Sequence, residues 1–328
     1  MASNHFVRRT ITARSSDEIG HLRYAWERLE KNSSATMFQS FAWNSVAARV
    51  FSEREAPYVI YSESDSGIAL LPMAMNKARR RISPLGEMLF DYRDILSAGD
   101  DQTLNSAWHR VAQTGLTFSV GGLRPESQLA KSGEFPLKRF YGSPRVSPHE
   151  ISAEAFASDH DRLGRFYRRL ERMGVTLRCR TGADSEFVRA IYRLKGSQPA
   201  DNGGNLLQDP LRQQFLVEAC RAMGSACEIF TLESDGNIIA ALVTFRERNV
   251  RRFYTIYFDV AWAKHSPGMV LVYELTRRSL KSGIECDYMT GEQGYKIRLA
   301  TSVVPMYWTE ADPAMLSQIA QYRPALAA

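Results

Sequence analysis

One order of elements is written twice along this 328-residue chain, about 170 positions apart, and that repetition limits the possible folds more than any single motif. In the second half, Asp209-Pro210 opens a helix with a capping carboxylate and a first-turn proline. Leu211, Phe215, Leu216, Ala219 and Met223 follow at helical spacing up to Gly224. The runs 227–233 and 238–245 around Asp235-Gly236 read as a hairpin, and 252–258 as a third strand. A helix over about 267–282, a stop at Gly283 and a strand over 284–289 complete the set. The first half repeats it: a helix over 40–51, strands over 58–63 and 68–74 about Asp65-Ser66-Gly67, a short strand near 88–92, a helix over about 103–113 and a strand over 116–120.

Such a pattern predicts two α/β lobes of one type, 1–150 and 151–328, joined near 125–155, where Pro125, Pro136, Pro144 and Pro148 interrupt regular structure. Each lobe is expected to hold a mixed, mostly antiparallel sheet with flanking helices and a terminal parallel βαβ unit. Ligands of such sheets collect at the carboxyl ends of the parallel strands, facing a helix N-terminus. In the second lobe that places a site at 259–269, opposite the end of the strand reaching Met289.

The composition, 44% hydrophobic and 24% charged, excludes disordered and fibrous chains. The longest apolar runs, 67–75 and 238–245, fall far short of the roughly 20 residues of a membrane span. No apolar segment follows Arg8-Arg9, so no signal peptide is expected. Cys179, Cys220, Cys227 and Cys286 lack metal-ligand spacing and read as reduced residues of a cytoplasmic protein without a metal site.

Several segments resemble the tandem Gcn5-related (GNAT) acyltransferases of the CelD or BioF2-like group, which are similar to the FemAB peptidyltransferases. They are Phe38-Gln-Ser-Phe-Ala-Trp43, Ile68-Ala-Leu-Leu-Pro72 with Asp91-Tyr92-Arg93-Asp94, Tyr257-Phe-Asp259, Ser266-Pro-Gly268, and Cys286-Asp-Tyr-Met-Thr-Gly-Glu-Gln-Gly-Tyr-Lys296. The resemblance spans about 25–300 and implies acyl transfer, with acyl-CoA (acetyl-CoA) as co-substrate bound by the second lobe. The phosphate cradle then falls on Ser266, Gly268 and Met269, where Ser caps a helix, Pro267 suits its first turn and Gly permits close approach. His265 stands where the family's fingerprint has Gln or Arg, and Tyr257 and Phe258 would line the donor. Lys296 is implied to hold a phosphate or stabilise an oxyanion, Tyr295 to return a proton to the leaving group, and Glu292 or Asp287 to accept one from the amine. The first lobe places Asp100 and Asp101 where a phosphate would sit, so it is expected to shape the acceptor site, with Trp43, Tyr92 and Arg93 as contacts.

The formal charge is +6, and residues 159–180 alone carry +4, seven arginines against Asp159, Asp161 and Glu171. Leu163, Phe166, Leu170 and Met173 mark one face of a helix, with Arg162, Arg165, Arg169 and Arg172 on a neighbouring face. Beside a plain solvated surface, this face, with Arg168 and Arg169, offers a seat for phosphate on the donor, on a lipid- or nucleotide-linked acceptor, or on an anionic membrane at the inner face. The leading expectation is an acyl-CoA-dependent N- or O-acyltransferase acting on an amino sugar, amino acid or envelope polysaccharide precursor. The alternatives are a FemAB-like transfer from aminoacyl-tRNA and a non-catalytic accessory role in polysaccharide synthesis. No nucleic acid is expected except tRNA under the first alternative, since no nucleic-acid motif is present.

Overall fold

The chain divides into two units, one running to Tyr141 and resuming at Pro305, the other spanning Gly142–Val304. The structure is a computed structural model that describes residues 7–32, 34–199 and 204–321. In the first unit β1 (Val7–Ala13), α1 (Ser16–Gly20), α2 (Arg23–Asn32) and α3 (Phe41–Val50) precede the antiparallel strands β2 (Ala56–Ser64), β3 (Ile68–Asn76) and β4 (Arg81–Pro84). The short β5 (Leu96–Ala98) pairs with β3, and α4 (Asp101–Ala112) crosses to β6 (Thr117–Leu123), which runs parallel to β4. After α5 (Gln128–Lys131), β7 (Lys138–Val146) carries the chain into the second unit.

There, α6 (Ala153–Asp159), α7 (Asp161–Arg172), β8 (Thr176–Thr181), α8 (Ser185–Gly196) and α9 (Pro210–Met223) lead to the antiparallel β9 (Cys227–Ser234), β10 (Asn237–Glu247) and β11 (Val250–Phe258). Helix α10 (Pro267–Lys281) crosses to β12 (Glu285–Asp287), parallel to β11, and α11 (Gly294–Leu299) follows. The chain then re-enters the first unit through β13 (Ser302–Ala311) and α12 (Pro313–Ile319).

Strand orders match across the duplication: β1-β2-β3-β4-β6-β13 in the first unit and β8-β9-β10-β11-β12-β7 in the second. The sixth strand of each comes from the other repeat. Val146 of β7 pairs with Cys286, and Ala311 of β13 pairs with Phe118. The expected boundary at 150 therefore requires two changes. Residues 138–146 form a strand rather than a linker, and the segment from Pro305 on belongs with the first unit. The expected strand near 88–92 is also displaced. The third strand of the first unit is β4, and Glu87–Leu89 form a 3-10 turn after it. Phe90 and Tyr92 are apolar there because their rings pack on Phe38 at 5.8 Å, and the run of side chains does not follow a pleat.

The hairpins form as their turns dictate. Asp235 and Gly236 both take positive φ, 50° and 78°, the requirement of a two-residue turn matched to strand twist. The first core gathers Ile60, Leu71, Trp108 and Phe118, and the second Leu242, Phe253, Val270, Leu271 and Tyr288. No helix among the described residues is long and apolar enough to cross a membrane.

Asp94 shows how the first unit spends a buried charge. It accepts N–H groups from Ile95 (2.9 Å), Gln128 (2.8 Å) and Leu129 (3.1 Å), which fixes the start of α5. Burial nevertheless pushes its carboxyl up to about 6 against those bonds and Arg124. A folded value above the unfolded one means that the folded state holds the extra proton, so this group's contribution is full below about pH 4 and is lost as pH rises through about 6. At about 1.4 kcal/mol per pKa unit, the loss is at most about 3 kcal/mol. Asp94→Asn removes it. Urea unfolding should show the variant gaining about 1–3 kcal/mol on the wild type between pH 4 and pH 7, and a difference constant with pH would refute the assignment.

Candidate active site

Strands β11 and β12 begin side by side and then part. They pair only at Val250↔Glu285, Arg251↔Cys286 and Arg252↔Asp287, after which β12 ends and β11 continues to Phe258. From Phe253 on, β11 keeps β10 on one side and has no strand on the other among the described residues. A bulge bends it at the same place: Val243 faces Thr255 and Thr244 faces Phe253, which leaves Tyr254 extra.

The apex of this opening is pinned by an ion pair between Arg252 and Asp287, both nearly buried. Arg252 also donates to Glu247 at 2.6 Å, while Asp287 accepts from Ser143 Oγ (3.1 Å) and from the Met289 N–H (2.8 Å). The last bond accompanies a left-handed Met289, φ 64°, a conformation that costs a bulky residue energy and needs surrounding structure to hold it. Tyr288 and Gly291 donate their N–H groups to the carbonyls of Pro144 and Gly142, both at 2.9 Å.

The start of α10 forms the other end of the site. Ser266 is left-handed (φ 50°, ψ 47°) and its side chain makes no capping bond. Gly268 is pressed toward β11, where a methyl group would come within 3.3 Å of Ile256 Cδ1 and 3.4 Å of Phe258 Cδ1. The first N–H groups of the helix are thus not taken by a side chain of their own. His265 immediately precedes this terminus, and the charges of Arg169 and Lys264 reach it. Burial first, then the positive charges of Arg169 and Lys264, lower the His265 imidazole below its ordinary value, so it is neutral at neutral pH. Its ring lies 5.7 Å from that of Trp262. Phe258 is half-exposed, Met269 packs on the second core, and Tyr257 is buried with its phenol pushed up by that burial and by Asp259.

Of the two arginines expected together, Arg168 lies 3.5 Å from Asp161, which also pairs with Arg165, whereas Arg169 has no carboxylate partner among the described residues. Arg162 stacks on Phe166 at 5.4 Å.

The equivalent helix start in the first unit is closed. Asp100 caps α4, accepting the Thr103 N–H (3.0 Å) and the hydroxyls of Ser64 (2.5 Å) and Ser66. Gly99 at φ 97° lets the turn press on Ser66, whose carbonyl oxygen would sit 2.0 Å from any Cβ there. The two expected aromatic acceptor contacts are corrected by packing: Trp43 and Tyr92 are 0% and 2% exposed, and both rings lie against Phe38. Arg93 is half-buried and donates to the Phe90 carbonyl at 3.2 Å, and burial lowers its pKa.

Between β11, α10 and α11 lies a cavity of about 50 Å³ walled by Leu242, Ile256, Val272, Tyr288, Tyr295 and Lys296, among others. Lys296 is 9% exposed and its ammonium donates to the Thr290 carbonyl at 2.8 Å, so it is no surface lysine. Burial pushes the Tyr295 phenol up and keeps it protonated at neutral pH. Tyr288 shares a hydrogen bond of 2.8 Å with Thr276 Oγ1. Two of the four expected catalytic residues therefore meet at the cavity. Glu292 is exposed, lying over Gly142, and Asp287 is committed to the apex, where its oxygens are occupied; we correct its reading from proton acceptor to positioning residue. Sequence reading missed Tyr254 and Tyr288. Tyr288 adjoined a chosen residue, but the bulge that singles out Tyr254 leaves no mark in composition or spacing.

Residues 158–297 match the family described as acetyltransferase (GNAT) domain. No curated protein matches the sequence. Solved structures do match in fold. The C-terminal domain of a putative lysylphosphatidylglycerol synthetase from Agrobacterium fabrum has a TM-score of 0.60 and 12% identity, covering 93% of this chain and 95% of that one. FemX has a TM-score of 0.58 and 10% identity, covering 95% and 100%. A tandem GNAT protein from the clavulanic acid biosynthesis pathway has a TM-score of 0.50 and 10% identity, covering 93% and 98%. The chain has a tandem GNAT, FemAB-like fold.

The apex is open to a direct check. Breaking a buried pair leaves an uncompensated charge and costs about 3–5 kcal/mol, reduced here because Arg252 keeps Glu247. Asp287→Ala should lose about 2–4 kcal/mol in urea unfolding, and Asp287→Asn, which keeps acceptor and shape, markedly less. A loss below about 1 kcal/mol for the alanine variant would remove the pair from its structural role.

Proposed function

We propose that this protein is an acyltransferase that moves an acyl group from coenzyme A to the amine or hydroxyl of an amino sugar, amino acid or envelope polysaccharide precursor. The observation that carries the reading is the uncapped start of α10, flanked by Arg169 and Lys264 and set at the mouth of the parted strands. Phosphate oxygens accept backbone N–H groups at such a terminus and gain from the helix dipole. The counterpart in the first unit already holds a carboxylate, so we assign donor binding to the second unit alone and keep Arg93 as the acceptor contact to test in the first.

Bound there, acyl-CoA supplies a thioester. The acceptor's nitrogen or oxygen bonds to its carbonyl carbon, the carbon–sulfur bond breaks, the acceptor loses a proton and the sulfur gains one. In this reading Tyr295 holds the proton that the sulfur takes, on a phenol that burial keeps neutral. Lys296, fixed by the Thr290 carbonyl, offers a preorganised positive charge to the developing oxyanion. Glu292, open to solvent, is the carboxylate left to accept the acceptor's proton.

A second reading, aminoacyl transfer from charged tRNA, is favoured by one observation. Arg162, Arg169 and Arg172 are exposed on α7 and form no ion pair with a carboxylate among the described residues. The same face suits the phosphates of a lipid- or nucleotide-linked acceptor or an anionic membrane surface.

Calorimetric titration separates the readings. Acetyl-CoA should bind at micromolar concentrations, and Arg169→Ala should weaken it about tenfold by removing one charge-assisted contact. Lys296→Met should leave donor binding within about threefold and cut turnover about 100-fold or more. No heat at high-micromolar acetyl-CoA, with binding of aminoacyl-tRNA instead, would transfer the assignment to the second reading.

A further inference from the structure

We infer that one side of the second unit docks on an anionic phospholipid surface, with the arginine row of α7 against the headgroups and the 3-10 turn Val260–His265 reaching beneath them. Apart from Arg169 and Lys264, which the donor reading shares, this surface takes no part in the proposed transfer. Two features converge on it.

Charge is the first. Arg162, Arg165, Arg169 and Arg172 recur every three or four positions along α7, and all four are exposed. At about 1.5 Å per residue they form a row roughly 15 Å long on one face of the helix. Guanidinium groups stay ionised at physiological pH. Of the acids on the helix, Asp161 is taken up by Arg165 and Arg168 at its start, and Glu171 lies against the Tyr167 hydroxyl. Arg162, Arg169 and Arg172 are left without a carboxylate partner among the described residues. The opposite face is already spent, since Leu170 is buried and Leu163, Phe166 and Tyr167 pack on the second core. The helix therefore meets a partner through its charge and not by inserting itself.

An exposed apolar turn is the second. In a 3-10 turn, positions three apart share an edge. Trp262 and His265 form the inner edge of Val260–His265: Trp262 packs on the second core, His265 is buried, and their rings lie 5.7 Å apart. That anchoring turns the other edges outward, where Val260 is 67% exposed and Ala261, Ala263 and Lys264 are exposed with it. The turn lies beside α7, because the charge of Arg169 reaches His265 and Trp262 shares its core with Leu163 and Phe166. Met173, 45% exposed, ends the arginine row with a further apolar side chain.

Cations and apolar tip together fit a bilayer better than a nucleic acid. A chain of phosphates satisfies the arginines and leaves Val260 and Met173 in water. Helix α7 also shows no exposed aromatic on which a base would stack, Phe166 being half-buried with Arg162 5.4 Å from its ring. An anionic membrane sets phosphates in one plane with hydrocarbon just below it, so both features are satisfied at once.

The test is sedimentation of the full chain with vesicles of phosphatidylcholine alone or with about one-third phosphatidylglycerol, at about 0.1 M salt. The anionic vesicles should bind at least about 20-fold more tightly than the neutral ones, and about 1 M salt should remove the difference. Each basic residue at such a surface strengthens binding about fivefold, so Arg162→Gln, Arg165→Gln and Arg172→Gln together should weaken it about 20-fold or more. Lys77→Gln, Arg79→Gln and Arg80→Gln, an equal loss of charge in the exposed turn between β3 and β4, should together stay within about threefold of the wild type. An environment-sensitive fluorophore on Val260→Cys, with the exposed Cys179→Ser removed as a competing thiol, should shift to the blue on anionic vesicles and stay unchanged with unfractionated tRNA. If the α7 variant unfolds by circular dichroism, the fluorophore decides alone. Equal binding to both kinds of vesicle, equal loss in the two triple variants, or a fluorophore that does not respond to vesicles overturns the inference. So does tRNA binding tighter than that of anionic vesicles, which would give this face to the second reading. Each of these results leaves the acetyl-CoA titration, and with it the donor reading, to stand or fall separately.

Discussion

The ion pair between Arg252 and Asp287 decides where two parallel strands stop being neighbours, and the geometry of the second unit follows from that point. Asp287 is the last residue of β12, and its carboxylate gathers Arg252 from β11, Ser143 from β7 and the N–H of Met289. With three elements tied to one side chain, the chain turns away from β11 at once. Met289 is held left-handed at that turn, and Gly291 is hydrogen-bonded back to Gly142. The strained residue is stable only because this network outweighs its cost. What β12 relinquishes, the exposed edge of β11 beyond Phe253, becomes the floor of the site. The bulge at Tyr254 widens the angle further.

The two helix starts show how a duplicated design diverges through capping chemistry. Both α4 and α10 follow the third strand of a meander and cross to a parallel partner. In α4 the orphan N–H groups are met by Asp100, which two serine hydroxyls and a left-handed glycine hold in place. In α10 the capping residue is a serine in the left-handed region, where its hydroxyl does not reach the helix N–H groups. The positive end of the dipole is thereby left for another anion, and Arg169 and Lys264 add to it. Desolvation keeps His265 neutral between them, so the positive field there comes from permanent cations rather than from a group that titrates near neutrality.

The order of elements was legible because it rests on local chemistry. Asp235-Gly236 sets a hairpin, Asp209-Pro210 starts a helix, and the spacing of Leu163, Phe166 and Leu170 marks the stripe that packs on the second core. The site was legible only in part. Lys296 and Tyr295 were singled out through a segment that resembles a known family and line one cavity, but nothing in that segment says that Lys296 is buried or that Asp287 faces Arg252, 35 positions earlier. Trp43, in α3, and Tyr92, in the segment after β4, both lie against Phe38, a contact between distant positions that the sequence does not display. The sixth strands were hidden because β7 lies among prolines and because β13 pairs with residues more than 180 positions away, such as Phe118 with Ala311.

That exchange of strands bears on how the site is held. The first unit is not a continuous stretch of chain, since β13 returns to close it, while the second, continuous from Gly142 to Val304, is closed by the end of β7. The second unit's apex therefore contains side chain and backbone from the end of the first repeat, Ser143 on Asp287 and Gly142 beneath Gly291. A strand supplied from so far along the sequence must be ordered before Asp287 has all its partners, which makes the apex one of the more non-local contacts in the fold. The second unit is consequently complete only when the first repeat has delivered its last strand. In this way the duplication couples formation of the site to the folding of the repeat that does not contain it.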